Sequence, residues 1–399
     1  MGAKKNKKWI RFRHTVVTNL AFLVIYPYSL LKYGIKIEKF ADSKRQYLVL
    51  LNHQTPFDQF FVGMSFNRKT MYYLATEDIF SKGFLSKLIR FLIAPIPIKK
   101  QTTDIKAVMT CLRVAREGGS IVIAPEGNRT YSGRTEYMNP AIVSLAKKLS
   151  LPIALYRLEG GYGVQPRWSD VTRKGKMRGY VYEVIEPEEY KSLTDDELFE
   201  RIKEGLYVDE TTLGGEFFHK NRANYLERCI YVCPFCGLSE FHSEGGFVKC
   251  VKCGREAEYT VTKEFKGVGY EHPFRFVADW YDYQEQYINS LNTLSLTESP
   301  LYTESIRLYE IIPYKNRYLV KKEASVSLYG DRVTVDDLTF DFDSVSQLSV
   351  LGKNKLNIYY GDKLYQFKGS KRFNALKYLH FYYRYKNIKG ENDDQFLGL

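Results

Sequence analysis

An α/β sandwich, then a four-cysteine metal module, then an all-β barrel closed by a helix is the architecture this 399-residue sequence predicts. Three observations carry that expectation. Strand and helix signals alternate between residues 71 and 185, the pattern of an α/β sandwich. Two C-x-x-C-G knuckles, Cys233 to Gly237 and Cys250 to Gly254, stand thirteen residues apart. From Leu301 to Ile388 the pattern turns to closely spaced strands. The length leaves room for two or three domains and an ordinary core.

The N-terminus is basic and then apolar. Lys4, Lys5, Lys7, Lys8, Arg11 and Arg13, with Trp9 among them, precede an apolar run from Val16 to Leu31 that contains Pro27. The run falls short of the roughly 20 residues of a full span, and Thr18, Asn19 and Pro27 weaken it, so it is expected to form an interfacial or re-entrant anchor with its basic end in the cytoplasm. A buried first helix is the alternative. No small-residue cleavage site follows, because Tyr26-Pro27-Tyr28 and Lys32-Tyr33 occupy that region. The formal net charge of +13 calls for an anionic partner. Nucleic acid, anionic lipid and an acidic carrier protein all satisfy the charge, and the apolar run argues against nucleic acid.

Next comes the first chemical block. Gln46 to Leu51 reads as a buried strand, and Thr55 and Pro56 are suited to the N-cap and first position of a helix. Asn52-His53-Gln54-Thr55-Pro56-Phe57-Asp58 therefore sets a His and an Asp five positions apart where strand gives way to helix. A neutral imidazole there takes a hydroxyl proton while the carboxylate fixes its tautomer. The plainer alternative is a capping box, Thr55-x-x-Asp58, whose acid serves only the helix.

Further along, Met71 to Ala75 reads as a strand. Asp104 caps a helix to Glu117 that ends at Gly118-Gly119, with Cys111 a buried structural thiol. The strand Ser120 to Ala124 delivers Pro125-Glu126-Gly127-Asn128-Arg129-Thr130 at its end, where backbone N–H groups and a guanidinium suit a phosphate. A helix from Asn139 (cap) and Pro140 to Ser150, a strand from Ile153 to Arg157 and a solvated helix from Asp195 complete the unit. Glu159 to Trp168 reads as a loop near the site, with Arg167 a further phosphate contact. No G-x-S-x-G elbow is present, so direct attack by the acceptor is favoured over a covalent intermediate.

Together the two blocks resemble the glycerolipid acyltransferases related to lysophosphatidic acid acyltransferase, which pair N-H-x-x-x-x-D with a later P-E-G-x-R. The resemblance covers about residues 10 to 210. It implies His53 as general base, Asp58 orienting it, and Glu126, Gly127 and Arg129 at the acceptor phosphate, with Asn128 as an added donor. A weaker block, Ala94 to Lys100, puts Lys100 where Arg is common. A fourth, Leu151 to Leu155, keeps one of two usual prolines. Met138-Asn139-Pro140 departs from the basic residue and Gly frequent there. The resemblance implies an acyl thioester donor, carried by acyl-carrier protein or coenzyme A, and a lysophospholipid acceptor.

In the second motif, Cys233, Cys236, Cys250 and Cys253 offer four thiolates for a tetrahedral structural zinc, with Gly237 and Gly254 allowing the tight turns beneath it. A redox disulfide is the alternative. Cys229 and His242 are lesser ligand candidates. Retained thiols imply a reducing compartment. Tyr259 to Val261 reads as a short strand, Phe276 to Leu291 as a helix, and Thr293 to Pro300 as a linker.

The last segment is expected to hold strands at 306–312, 317–321, 324–329, 332–335, 340–342, 345–351, 355–360 and 364–368, then a helix from Arg372 to Tyr385. This pattern resembles the pleckstrin-homology-like barrels. Lys353, Lys355, Lys368, Lys371 and Arg372 form either a basic lip or a solvated surface.

The expected domains are a basic membrane-associated segment (1–35), an acyltransferase domain (36–215), a zinc ribbon (225–262), a helical linker (263–300), a pleckstrin-homology-like domain (301–388) and a tail (389–399). The expected function is acyl transfer to the hydroxyl of a lysophosphatidic-acid-like acceptor, at the cytoplasmic face of the cell membrane as a peripheral or monotopic protein. Glycerol 3-phosphate or another lysophospholipid is the alternative acceptor, and a non-catalytic anionic-lipid-binding adaptor the alternative class.

Overall fold

A computed structural model describes residues 8–76, 80, 84–98, 104–312 and 316–390. Its first sheet contains β1 (Ile35–Ile37), β2 (Leu48–Leu51), β3 (Met71–Thr76), β4 (Ile96–Ile98), β5 (Ser120–Ile123), β6 (Ile153–Glu159) and β7 (Met177–Ile185), in the order β1-β7-β6-β2-β5-β3-β4. Central pairings are parallel and the β6–β7 pair is antiparallel.

Strand periodicity builds two cores from one sequence run. Leu48 and Leu50 face one side, with Cys111, Val114, Ile142, Leu198 and Ile202 from the helices there. Val49 and Leu51 face the other, with Phe22, Tyr33, Phe61 and Val62. The first of these faces carries α4 (Ile105–Arg116), α5 (Ala141–Leu149) and α8 (Asp195–Leu206), and the second carries α1 (Phe12–Tyr33) and α2 (Asp58–Ser65). Also present are α3 (Phe84–Leu92), the single turn α6 (Gly161–Val164) within the expected loop, and α7 (Pro187–Lys191).

Local signals place most helix ends. Asp104 accepts from Ala107 N at 3.1 Å, and Thr194 with Glu197 forms a capping box on α8. Some starts differ, and α2 begins at Asp58, not at Pro56. The Asp58 carboxylate draws in the N–H groups of Gln54 and Thr55, which holds residues 54–57 in a turn. Helix α5 begins at Ala141, past Pro140, and Asn139 Oδ1 still accepts from Ala141 N.

The cysteine module is a hairpin, β8 (Val232–Cys233) with β9 (Gly237–Leu238), and a four-stranded antiparallel sheet. That sheet runs β10 (Phe241–Glu244), β11 (Phe247–Cys250), β12 (Glu256–Tyr259) and β13 (Phe265–Gly267), so it continues past the boundary expected at 262. Helix α9 (Val277–Ser290) packs inward, and its Gln284 side chain accepts from Tyr231 N at 2.7 Å and donates to Cys229 O at 3.1 Å.

The last unit is one antiparallel sheet of β14 (Tyr302–Ile311), β15 (Arg317–Leu328), β16 (Arg332–Val335), β17 (Leu338–Asp341), β18 (Val345–Leu351), β19 (Lys355–Tyr360) and β20 (Lys363–Gly369). Its order is β17-β16-β15-β14-β20-β19-β18. The edge strands β17 and β18 do not pair, so the sheet is a curled half-barrel where a pleckstrin-homology-like barrel closed by a helix was expected. Two expected strands are one, β15, because its first half is solvent-exposed and lacks the burial alternation that signals a strand. The closing helix α10 (Leu376–Lys389) starts four residues later than expected, after Asn374 Oδ1 accepts from Leu376 N and Lys377 N.

A buried histidine locks these units together. His380 Nδ1 lies 2.6 Å from the Tyr231 hydroxyl and Nε2 3.3 Å from that of Tyr281. Burial pushes its pKa down to about 3. An unfolded His titrates near 6.5. Between those values the unfolded chain takes up a proton that the folded chain refuses, so stability is expected to fall as pH drops from about 6.5 toward 3. Thermal melting across that window should show a shallower decline for His380→Phe. Parallel slopes would mean other groups govern the acid limb.

Candidate active site and metal centre

The carboxyl ends of β2 and β5 meet at residues 52–58 and 125–130. His53 Nδ1 lies 2.7 Å from Asp58 Oδ2. An ionised carboxylate only accepts, so Nδ1 carries the proton and Nε2 holds the free lone pair. Asp58 is fully buried, while the His53 side chain keeps 28% of its surface exposed. The same carboxylate accepts from Gln54 N at 2.7 Å, Thr55 N at 2.9 Å and Thr55 Oγ1 at 2.6 Å. Asp58 thus does both things the sequence allowed, caging the turn as a cap does and holding the imidazole.

Glu126 joins the two blocks. Its Oε1 accepts from His53 N at 2.7 Å, and Thr130 N donates to His53 O at 3.3 Å. Burial pushes the Glu126 carboxyl well above the usual range, against the pull of the His53 N–H. Gly127 turns the chain at φ +67°, a conformation a side chain would strain. Glu136, unsignalled in the sequence, accepts from Tyr131 N and Ser132 N at 3.1 Å each and shapes the loop beyond.

The Arg129 guanidinium is incompletely paired. Its Nη1 is buried with no hydrogen-bond partner among the described residues. Burial, then the nearby Arg167 charge, push its pKa down to about 10, which leaves it cationic at neutral pH. A buried guanidinium nitrogen without a partner is costly unless something completes its hydrogen bond.

Arg167 has a structural task and is not open at the site. Its Nη1 donates to Arg129 O at 2.9 Å and its Nη2 to Asn128 Oδ1 at 3.2 Å, and the group reaches Val350 O and Gly352 O at 3.4 Å. The β18–β19 turn of the half-barrel therefore braces the Asn128–Arg129 loop. Asp170 holds a second crossing, accepting from Arg228 at 2.8 and 3.1 Å and from Lys353 Nζ at 3.0 Å. Lys353 and Arg372, expected on a surface lip, are thus clasps, Arg372 pairing with Glu227.

Several residues brace the site, Asn52 and Gln54 from the first block and Glu210 and Lys263 without a sequence signal. Asn52 donates to Leu158 O and accepts from Leu158 N, tying the turn to β6. Gln54 Oε1 accepts from Gly161 N at 2.8 Å, and Glu210 Oε1 accepts from Gly160 N at 2.6 Å. Lys263, from the cysteine module, lies 3.6 Å from Glu210 with both side chains buried. Lys100 lies outside the described residues.

The four knuckle sulfurs lie within 4.8 Å of one another. Cys233 and Cys253 are 3.7 Å apart and Cys236 and Cys250 3.6 Å. Four thiolates at about 2.3 Å around a tetrahedral ion would stand about 3.8 Å apart, whereas a disulfide closes to about 2.05 Å. The set thus fits an ion with four sulfur ligands. Phe235 N donates to Cys233 Sγ at 3.5 Å, and Gly237 and Gly254 turn at φ +75° and +74°. Neither lesser candidate joins. Cys229 is buried against Tyr131 O, and His242 is exposed beside Glu244.

Residues 34–155 match the family model described as Acyltransferase. A curated relative, the chloroplastic 1-acyl-sn-glycerol-3-phosphate acyltransferase BAT2 of Brassica napus, is 22% identical over 206 residues, which are 49% of this chain and 56% of the relative. The chain thus spans about half the length of the curated relative it matches. Among solved structures, the 1-acyl-sn-glycerophosphate (LPA) acyltransferase PlsC from Thermotoga maritima is similar at TM-score 0.38 and 19% identity, over 48% of this chain and 75% of that one. The N-terminal PH domain of human ARAP2 matches at TM-score 0.18 and 12% identity, over 22% and 81%. Residues 34–155 are therefore similar to the acyltransferase family model, and about half of the chain is distantly similar to a 1-acyl-sn-glycerol-3-phosphate acyltransferase.

Proposed function

We propose that this protein transfers a fatty acyl group from a thioester, on acyl-carrier protein or coenzyme A, to the free hydroxyl of lysophosphatidic acid or a close lysophospholipid. The observation that carries the reading is the caged His53–Asp58 pair sharing one sheet edge with the unpartnered Nη1 of Arg129. His53 Nε2 takes the acceptor hydroxyl proton as the oxygen attacks the thioester carbonyl, and Asp58 stabilises the imidazolium. Arg129 receives the acceptor phosphate, with Asn128 and the turn at Gly127 beside it. Glu126 positions the His53 backbone. The thiolate leaves, and His53 returns the proton to it.

Zinc at Cys233, Cys236, Cys250 and Cys253 is structural in this reading, since four protein ligands leave no open position. Residues 36–215 would form the catalytic domain. The protein would work at the cytoplasmic face of the membrane, held there by the N-terminal helix.

The test is acyl transfer in lipid or detergent with each thioester donor, comparing lysophosphatidic acid with glycerol 3-phosphate. Product with lysophosphatidic acid supports the proposal, and no product from folded, metal-loaded protein shifts it to the lipid-binding adaptor. Arg129→Gln is expected to raise the acceptor KM at least tenfold, roughly the worth of one charge-assisted hydrogen bond. An unchanged KM would place the phosphate elsewhere.

A further inference from the structure

A second cation-lined cleft, of about 360 Å³, lies between the start of α1 and helix α3. Lys8, Arg11, Arg13, Lys87 and Arg90 line it with Trp9, His14 and Phe91, and among the described residues no carboxylate lines it. Arg13 is partly engaged: its Nε donates to Phe91 O at 2.7 Å, with the guanidinium 4.0 Å from the Phe91 ring centre. Among the described residues no carboxylate pairs with Lys8, Arg11, Lys87 or Arg90. Glu117, which reaches the start of the chain segment before α1, is occupied by Ile10 N and Arg113 Nε.

His14 makes this more than a basic patch. It is 1% exposed, and its Nδ1 accepts from Arg11 N at 3.4 Å and sits 3.2 Å from the Tyr72 hydroxyl. Because Nδ1 accepts from a backbone N–H, the ring proton belongs on Nε2, which is buried and has no partner among the described residues. A buried donor without an acceptor, in a cleft of unpaired cations, is a place for phosphate oxygens.

The surroundings indicate which phosphate. Phe12 (84% exposed), Phe84 (79%), Phe91 and Ile93 stand in water around the cleft. From it, α1 carries exposed Val16, Leu20, Leu23, Val24 and Leu31, and ends at Tyr33 packed on Phe57 beside the His53 turn. A helix of 22 residues spans about 33 Å. The cleft lies at the amino ends of β4 and β5, since Trp9 Nε1 donates to Ala94 O and Ile10 packs on Gly119, whereas His53 and Glu126 stand at carboxyl ends. We propose that this cleft binds the phosphate of an anionic membrane phospholipid, pinning the far end of α1 to the bilayer at a site separate from the His53 centre. This does not depend on the acyl-transfer reading.

Trp9 lines the cleft while Trp168 and Trp280 are buried, so Trp9 emission reports its occupancy in the full-length protein. Titration with phosphatidylcholine vesicles, with and without phosphatidylglycerol, is expected to shift emission only when the anionic lipid is present. Arg11→Gln with Arg90→Gln should weaken that binding by roughly twenty-five-fold, at about fivefold per charge near an anionic surface. The exposed pair Lys148→Gln with Lys191→Gln, on α5 and α7, removes equal charge and should weaken it far less. Equal losses in both pairs would reduce the effect to net charge and overturn the site. A soluble source is distinguished by inorganic phosphate: if it shifts Trp9 without vesicles and displaces them, the lipid assignment fails. His14→Phe should weaken binding to anionic vesicles while keeping its melting temperature, and unchanged binding would remove His14 from the site.

Discussion

His53→Ala is expected to lower acyl transfer by roughly 10²- to 10⁴-fold, the range for losing a positioned general base. The substitution removes a half-exposed ring and breaks one side-chain contact, that to Asp58. The backbone bonds of residue 53 to Glu126 and Thr130 remain, so the fold and the acceptor KM should hold while kcat falls. Asp58→Asn should be as damaging for a different reason. Its carboxylate accepts from His53 and from two backbone N–H groups, and an amide brings its own donors into that cage. Loss of the turn would then accompany loss of the tautomer. Kinetics of both variants beside their melting curves separates the two: His53→Ala should melt like the parent, and Asp58→Asn below it. Full activity in a folded His53→Ala variant would remove the imidazole from the mechanism.

Removing the metal from the cysteine module is expected to unfold more than the module. Structural zinc binding is worth roughly 10–16 kcal/mol, as large as the whole stability of a typical domain. The cysteine core is not separate here. Tyr131 from the Arg129 loop and Trp168 pack in one cluster with Cys233, Cys250, Trp280 and the inner residues of the half-barrel. Lys263 reaches from the module to Glu210 beneath the site. Losing the metal should therefore loosen the loop that carries Arg129, and activity should fall with structure. Elemental analysis is expected to find one zinc per chain, and chelation should lower the melting temperature and the acyl-transfer rate together. A chelated protein with unchanged melting would mean the four thiols need no ion.

The contact between His53 and Asp58 was legible because five residues close one turn, and Asp58 was bound to meet something within it. The cysteine geometry was legible for the same reason, each knuckle being its own tight turn. Leu48 to Leu51 and Ser120 to Ile123 read as buried strands because all their positions are buried. Boundaries were less legible wherever a side chain took over the backbone, as Asp58 does before α2. The exposed half of β15 hid a single strand as two.

What the sequence determined by itself are these local matters: strand and helix periods, two tight cysteine knuckles, and a histidine one turn from its carboxylate. The tertiary structure alone decided that Glu126 would hold the His53 backbone across 73 positions, that Arg167 would brace the Arg129 loop on the half-barrel, and that four expected units would share one core. The reason is physical. Spacing along a chain encodes contacts within a turn or along a face, whereas a distant arginine has many carbonyls and carboxylates within its chemistry. Only packing, by burying some and leaving others in water, selects which ones it meets.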